Sequence, residues 1–300
     1  MVFSADQLAV FAAVVDHGTV TAAARELSVS QPAVSARLRS LQALAGRKLY
    51  MPTSRGIALT PAGEALLPHA RAVARAMQRA RHAIATPTSQ ELRCALAVSE
   101  AAVPLVLPRA TAAVLTHSDI DLRVTPCDAT SAVQRVITGE ADLAAAVGSP
   151  ERPDDDLLRR PVLVDEIVVA HAHDAIPDRI PLAAVQQLTV VWQAAGSGVR
   201  ATVERALEAA GLWPRKSVEI GSTLGVVSTS AAGHGVGFLS RRFVEPYVRA
   251  GMLRITTLEA EDLFARFDLI SPPLSDLTHA SRLVSDAILG SSHREGSANQ

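Results

Sequence analysis

Apolar residues recur at helical spacing through the first 45 residues, and this pattern predicts three helices. The first helix runs from about Ser4, a good N-cap residue, to His17. The segment 19–41 predicts two more helices, of which the second begins at about Gln31. The chain therefore opens with a three-helix unit.

A tight turn separates the second and third helices of this unit. The segment 28–30, Ser-Val-Ser, interrupts the periodicity, Ser30 is placed to cap the third helix, and Pro32 falls in its first turn. Ala23 and Ala24 are small enough to let the second helix approach the third. Such a pair is the form in which many proteins enter the major groove of DNA, and it also occurs as an ordinary helical hairpin in enzymes.

A hairpin and a long helix follow. The segment 46–60 alternates apolar and polar residues on both sides of Ser54-Arg55-Gly56, which predicts two antiparallel strands and hence a winged helix. Thr60-Pro61 is a strong helix start, and the helix can continue to about Ala85.

The long helix carries apolar residues at heptad spacing, which favours a seam between two copies of the chain. The seam positions are Leu66, Ala70, Val73, Met77, Ala80 and Ile84. Arg71, Arg75 and Arg79 share another face, and we expect them to be solvated.

Beyond a polar linker at 86–89, strand-like runs alternate with helical stretches, which predicts an α/β body with crossover connections. The segments 162–172 and 258–271 are long enough to cross between two similar halves. The predicted divisions are a head at 1–60, a linker and dimerisation helix with a hinge at 61–88, a two-lobed α/β body at 89–290 and a disordered tail at 291–300. Within the body, lobe I comprises about 91–163 and 267–290, and lobe II about 164–266.

Charge is divided unevenly between the two parts. The net charge is -1, but residues 1–85 hold ten Lys and Arg against four acids, whereas the remaining 215 residues hold 19 against 26. This division fits a polyanion-binding head on an acidic body. We find no signal peptide and no run long enough to span a bilayer, so we expect a cytoplasmic protein without membrane contact. Cys94 and Cys127 have no metal-site spacing, and we expect no metal and no cofactor.

The segment SVSQPAVSARLRSLQALAGRKLYMPTSRGIALTPAGEALL resembles the DNA-binding head of the LysR-type transcriptional regulators. The marks are the residues 30–35 (Ser-Gln-Pro-Ala-Val-Ser), Gly46, and Leu59-Thr60 followed by Gly63. The resemblance implies a winged helix-turn-helix with a long linker helix, followed by a two-lobed α/β periplasmic-binding-protein-like domain. The match departs from the pattern at Gln42, where Glu is usual, and at 50–52, where an Arg is missing from the wing.

By the resemblance and by residue type, Gln31, Pro32 and Ser35 lie nearest base edges, while Arg37, Arg39 and Arg55 are candidate backbone contacts. We expect the exposed face of the third helix to carry Gln31, Ser35, Arg37 and Arg39. The full predicted DNA-binding set is Thr21, Ser30, Gln31, Pro32, Ser35, Arg37, Arg39 and Arg55.

In the resembling family a small effector lies between the two lobes, against loops that open helices. The matching positions are Ser99, Glu100, Ala101, Asp128, Ala129, Thr130, Ser197, Gly198, Ser222 and Thr223. Hydroxyls beside free N–H groups at helix starts suit a carboxylate or phosphate, although most such residues are plain N-caps. Glu100 instead suits an amino group, so the expected effector is an organic acid or an amino-acid-like molecule.

Three alternatives stay open at this point. An α/β enzyme is one, although neither GSG at 196–198 nor GHGVG at 233–237 has the order of a nucleophile elbow or a dinucleotide-binding turn. A solute-binding module would share the body but would not have the head. Within the regulator class, the two cysteines allow a thiol redox sensor.

The predicted mechanism is that of a ligand-responsive transcription factor rather than an enzyme. A homodimer would present two recognition helices to promoter DNA, and the resemblance implies a dimer of dimers that bends the promoter and contacts RNA polymerase. Effector binding would change the spacing of the heads.

Overall fold

The computed structural model describes residues 3–53, 56–85, 93–117, 119–148, 156–260 and 263–290. The predicted linker at 86–89 and tail at 291–300 lie outside these residues, as do Arg55 and the side chains of 79 and 81–85. The chain divides into two compact units: one comprises 1–90, 137–140 and 151–157, and the other comprises the remaining residues.

Three helices begin the first unit at the predicted places. They are α1 (Ala5–Asp16), α2 (Val20–Glu26) and α3 (Gln31–Ala45). Ser4 and Gln7 cap α1 reciprocally: the Ser4 hydroxyl accepts from the Gln7 N–H, and the Gln7 amide oxygen accepts from the Ser4 N–H. Gly46 ends α3 in the left-handed conformation, with φ of 64°.

The three helices enclose a continuous apolar core. Phe11, Val34 and Leu41 are fully buried, and Ala23 is fully buried where α2 approaches its neighbours. No single helix among the described residues is long and apolar enough to cross a membrane; α1 and α2 pass that test only when taken together across a bend of 119°.

The predicted wing is present as the antiparallel strands β1 (Tyr50–Thr53) and β2 (Gly56–Leu59). Gln42 joins α3 to the wing, because its side-chain oxygen accepts from the N–H groups of Leu49 and Tyr50 at 2.8 and 3.4 Å. An amide oxygen accepts hydrogen bonds as a carboxylate does, which explains why Gln serves where the resembling pattern has Glu.

The long helix α4 (Pro61–Ala85) begins at the predicted Thr60-Pro61 start. The Thr60 hydroxyl accepts from the Gly63 N–H at 3.2 Å and donates to the Lys48 carbonyl at 2.7 Å. A Cβ at Gly63 would overlap the Leu49 carbonyl, so only glycine lets the helix start this close to the wing. In the Leu-Thr-x-x-Gly pattern, Thr60 therefore caps α4 and Gly63 allows the close approach to the wing.

The first half of α4 belongs to the head's own core. Leu67 and Ala70 are fully buried there, so the predicted seam position Ala70 is covered within its own chain. Val73 and Met77 are part-buried and Ala80 is exposed, whereas the Ile84 side chain lies outside the description. A seam between two chains stays a prediction, and it now rests on Val73, Met77, Ala80 and Ile84.

The expectation that the arginine row is solvated was wrong for the two members described. Arg71 and Arg75 are each 1% exposed. Arg71 pairs with Asp16 of α1 at 2.5 Å, and Arg75 pairs with Asp156, a residue of the same compact unit, at 2.8 Å. Spacing alone predicted a separate face, but the helix is covered on that face as well.

The second unit is built on one ten-stranded sheet in the order β4-β3-β5-β12-β6-β10-β8-β9, with β11 paired to β6 and β7. The strands are β3 (Arg93–Ser99), β4 (Asp121–Cys127), β5 (Leu143–Val147), β6 (Leu158–His171), β7 (Arg179–Pro181), β8 (Thr189–Trp192), β9 (Lys216–Glu219), β10 (Val236–Ser240), β11 (Arg254–Glu259) and β12 (Phe264–Ser271). The helices are α5 (Val103–Thr116), α6 (Ala129–Thr138), α7 (Gly198–Ala209), α8 (Thr223–Ala231), α9 (Arg241–Arg249) and α10 (His279–Gly290).

Two groups of parallel strands lie on either side of β6. We call β3–β5 with their helices lobe I, and β7–β11 with their helices lobe II. In its first part β6 pairs antiparallel with β12, which also pairs with β5; from Ile167 onward it pairs with β10, and with β11 near its end. The carboxyl ends of the parallel strands of both lobes therefore meet near one place in the unit.

The sequence reading missed three elements and shifted a fourth. Helix α9 contains Pro246, which interrupts the helical pattern, although Ser240 caps its start. The short strand β7 and the strand β11 were also not predicted. A helix expected from about Ala101 instead begins as a 3-10 turn over 100–102 and becomes α-helical at Val103.

The buried pair of Arg71 and Asp16 generates a stability prediction. We expect Arg71→Ala to lower the free energy of unfolding by about 3–5 kcal/mol, because it removes one partner of a buried ion pair. Urea denaturation followed by circular dichroism measures this loss. Arg249→Ala, which removes an exposed pair with Glu245, is the control and should cost at most about 1 kcal/mol. Equal midpoints for the two variants would contradict the prediction.

Candidate functional sites

The exposed face of α3 carries several of the predicted DNA-contacting side chains. Gln31, Pro32 and Arg39 are exposed and Ser35 is part-buried. Residues 31, 35 and 39 are spaced four apart, so they lie along one side of the helix. The structure therefore keeps an amide, a hydroxyl and a guanidinium together on one accessible surface.

Arg37 lies on another side of α3. It is about 200° around the helix from Ser35, because successive residues are about 100° apart. Its Nε bonds to Asp6 of α1 at 2.6 Å. The expectation that Arg37 shares the exposed face with Ser35 and Arg39 was wrong, since two residues of separation reverse the direction of a helical side chain.

The two remaining described positions of the predicted set are exposed. Thr21 is in the first turn of α2, and Ser30 occupies the N-cap position of α3. Ser30 thus occupies the predicted N-cap position, but its side chain makes no capping hydrogen bond. Arg55, the candidate backbone contact in the wing, lies outside the described residues.

A cavity of about 160 Å³ lies between the lobes of the second unit. Eight of the ten predicted effector positions line it: Ser99, Glu100, Ala101, Asp128, Ala129, Ser197, Gly198 and Thr223. The other two do not. Ser222 caps α8, and Thr130 is exposed on α6.

Glu100 reaches from lobe I to the start of a helix in lobe II. Its carboxylate accepts from the Thr223 N–H at 2.5 Å, at the N-terminus of α8. A helix N-terminus carries free N–H groups and a partial positive charge, so it is a favourable place for a carboxylate. The Glu100 carboxylate thus occupies the start of α8, which is one of the positions predicted to bind an anionic ligand.

The lobes also meet through their backbones beside the cavity. The Ala129 N–H donates to the Gly196 carbonyl at 3.2 Å. A Cβ at Gly198 would overlap the Val147 carbonyl, so glycine allows α7 to begin against the end of β5. Asp128 accepts from the N–H and hydroxyl of Ser131, and this cap fixes the start of α6.

The sequence reading missed several lining residues. Cys127, Val147 and Gln193 line the cavity, and each stands at or just after the end of a strand. The reading singled out hydroxyls and acids at helix starts, whereas the general rule that ligands lie beyond the carboxyl ends of strands points to these positions as well.

Two buried polar atoms of lining residues have no hydrogen-bond partner among the described residues. They are Ser99 Oγ and Gln193 Oε1, on residues that are 4% and 2% exposed. The Gln193 Nε2 atom donates to the Phe238 carbonyl at 2.7 Å, which assigns its oxygen as the unpartnered atom. Unpartnered buried polar groups are costly, so a ligand that bonds them gains affinity.

Two family models match the chain. Residues 5–64 match the bacterial regulatory helix-turn-helix protein, lysR family, and residues 88–291 match the LysR substrate binding domain. The chain belongs to the LysR-type transcriptional regulators. It is thus a DNA-binding regulator with an effector-binding domain, and its matched relatives are regulators rather than enzymes.

Similarity to individual LysR-type proteins extends over most of the chain. GltR of Bacillus subtilis is 26% identical over 283 residues, which cover 91% of this chain and 94% of GltR. The RuBisCO operon transcriptional regulator of Allochromatium vinosum is 30% identical over 263 residues, which cover 85% and 84%. The structure of full-length CbnR complexed with its target DNA matches with a TM-score of 0.53 at 19% identity, over 96% of this chain and 99% of CbnR.

Neither cysteine of this LysR-type chain has the environment of a reactive thiol. Burial raises the pKa of the Cys94 thiol far above its ordinary value, and burial also raises the pKa of Cys127. In the strand register Cys94 faces Leu122, which places Cys127 five residues further along β4, roughly 16 Å away. A disulfide between them would need major rearrangement.

The HAHD segment at 171–174 forms a strand end and turn rather than a metal site. His171 is buried, bonds to the Thr256 hydroxyl at 2.9 Å and accepts from the His173 N–H at 3.2 Å. Among the described residues no group of three or more His, Cys, Asp or Glu could hold a metal ion.

The geometry of α3 predicts separate roles for two of its residues. We expect Ser35→Arg to change which operator sequences are preferred, because Ser35 is predicted to lie near base edges and an arginine there would offer a different pattern of donors. We expect Arg39→Ala to weaken binding to all sequences and to reduce the salt dependence by about one phosphate contact. Binding of both variants to a panel of operators selected from random DNA tests this division. Arg37→Ala, whose side chain pairs with Asp6, is the control and should lose less affinity than Arg39→Ala.

The thiol environments generate a second prediction. We expect Cys127→Ser to leave operator affinity unchanged with and without hydrogen peroxide, because the raised pKa keeps this thiol protonated at neutral pH. Gel-shift titration of both proteins measures this. A peroxide response in the parent protein that disappears in the variant would contradict it and restore the redox alternative.

Proposed function

We propose that this LysR-type regulator changes its action at a promoter when a small organic acid or amino-acid-like molecule binds the cavity between its lobes. The observation that carries the proposal is the cavity itself, which both lobes bound and whose lining includes Ser99 and Gln193. Each of these residues has a buried side-chain oxygen, Ser99 Oγ and Gln193 Oε1, without a hydrogen-bond partner among the described residues. A ligand there would contact lobe I and lobe II at once.

The contacts across the cleft support a mechanism for the response. Glu100 bonds to the Thr223 N–H, and the Ala129 N–H bonds to the Gly196 carbonyl. Both hydrogen bonds join lobe I to lobe II, so a change in the relative position of the lobes would alter them. A ligand that fits one arrangement of the lobes better than another shifts the balance between them. Ligand binding would thereby change the relative arrangement of lobe I and lobe II.

In this proposal the exposed face of α3 reads the operator, with Gln31, Pro32 and Ser35 at base edges and Arg39 on the phosphate backbone. Thr21, Ser30 and Arg55 supply further contacts. The head's excess of basic residues supports binding to a polyanion.

We further propose that the regulator acts in the cytoplasm as a homodimer, with two dimers forming a tetramer that contacts RNA polymerase. The heptad pattern of α4 supports the dimer through Val73, Met77, Ala80 and Ile84, while Leu66 and Ala70 pack on the head's own core. Two recognition helices held in this way would read a site with dyad symmetry.

Ser99→Ala provides a sharp test of the cavity. Its hydroxyl is unpartnered in the free protein, so we expect its removal to leave the melting temperature unchanged or raised. We expect the same variant to lose roughly two- to tenfold in affinity for the effector, since one hydrogen bond is worth about 0.5–1.5 kcal/mol. Thr130→Ala, exposed and outside the cavity, is the matched control.

The measurement is a thermal-shift screen of small acids and amino acids against the full chain. A ligand at 100 times its dissociation constant stabilises the folded state by about 2.7 kcal/mol, which is readily detected. Hits are then titrated against both variants. Hits that bind Ser99→Ala as tightly as the parent would contradict binding in this cavity, and a screen without hits would contradict the proposed response.

A further inference from the structure

Two residues that line the cavity, Ser99 and Gln193, each have a side-chain oxygen without a hydrogen-bond partner among the described residues, and the chemistry of these atoms indicates which ligand would suit them. Gln193 Oε1 is an amide oxygen and accepts only, while Ser99 Oγ can accept or donate. One Glu100 oxygen takes the Thr223 N–H, and the carboxylate retains further accepting capacity. The lining therefore calls for a ligand that donates hydrogen bonds.

The charges around the cavity have one sign. Glu100 and Asp128 line it, and none of its described lining residues is Lys, Arg or His. Arg200, on the first turn of α7, does not line the cavity, and its guanidinium bonds to Glu204 and Glu219 at 2.7 Å each. The charge of Arg200 is thus matched by acids of its own, and the two carboxylates are the formal charges among the lining residues.

The position that would otherwise attract an anion is occupied. The free N–H groups at the start of α8 are where a ligand carboxylate or phosphate would bind, but the Glu100 carboxylate already accepts from Thr223 there. A second anion at this place would meet a like charge in a small, partly enclosed space. The Glu100 carboxylate therefore disfavours a second anion at the start of α8.

We propose that the cavity takes a small ligand bearing a primary ammonium group, held by Glu100 together with the acceptors Ser99 Oγ and Gln193 Oε1. An ammonium group donates three hydrogen bonds and carries the charge that the lining lacks. The volume of about 160 Å³ is below the range of about 300–1,000 Å³ of drug-sized sites, so the ligand is small. This inference rests on the proposed function and narrows its effector from an organic acid or amino-acid-like molecule to a molecule that carries an ammonium group.

The test uses matched ligand pairs that differ only in an ammonium or a hydroxyl group. Glycine is compared with glycolate, and ethanolamine with ethylene glycol, by isothermal titration calorimetry on the full chain. We expect binding of at least one amine and at least tenfold weaker binding of its hydroxyl counterpart. Binding of ethanolamine would identify a simple amine, and binding of glycine without ethanolamine would identify an amino acid.

Glu100→Gln separates the charge from the contact between lobes. Its amide oxygen can still accept from the Thr223 N–H, so the lobes keep their contact while the negative charge is removed. We expect this variant to lose at least tenfold in affinity for the amine and to narrow the difference between amine and hydroxyl partners. Glu245→Gln, on the exposed end of α9, is the matched control and should bind as the parent does.

Three results overturn the inference. Glycolate binding as tightly as glycine, with loss in Ser99→Ala, would remove the ammonium requirement but leave the proposed effector cavity intact. Amine binding that persists unchanged in Glu100→Gln would show that the carboxylate does not hold the ligand. Absence of binding by both amines overturns the inference; if the wider acid screen is also without hits, the proposed function fails with it.

Discussion

The pairing of β6 with β12 is the constraint on which the effector-binding unit depends. β6 pairs with β12 in an antiparallel register from Leu158 to Glu166, and the same strand then pairs with β10 and β11. One continuous strand therefore belongs to the sheets of both lobes. This connection keeps the carboxyl ends of the parallel strands of the two lobes close together, and the cavity lies where they meet.

Close backbone approach shapes both units of the protein. Gly63 lets α4 start against the Leu49 carbonyl in the head, and Gly198 lets α7 start against the Val147 carbonyl in the body. In each case a helix begins where a side chain would not fit. Thr60 and Asp128 then fix nearby helix starts with side-chain hydrogen bonds, so the two sites are held by short, local contacts.

Glu100 connects the chemistry of the cavity to its geometry. The residue stands at the end of β3, and its carboxylate bonds to the opposite lobe. The same group contributes negative charge to the cavity, together with Asp128, and joins lobe I to lobe II. In the proposed function, a ligand that engages this carboxylate would act on both properties, so the class of ligand and the mode of response would be coupled.

The sequence by itself determined the three-helix head, the wing, the start of α4 at Thr60 and most of the alternating strands, because caps, prolines and apolar spacing are local signals. It also marked eight residues that line the cavity. Only the tertiary structure decided that Arg71 is buried against Asp16, that Arg37 faces α1, and that Glu100 occupies the start of α8. Each of these depends on a partner distant in the chain, and spacing along one helix carries no information about what covers its faces.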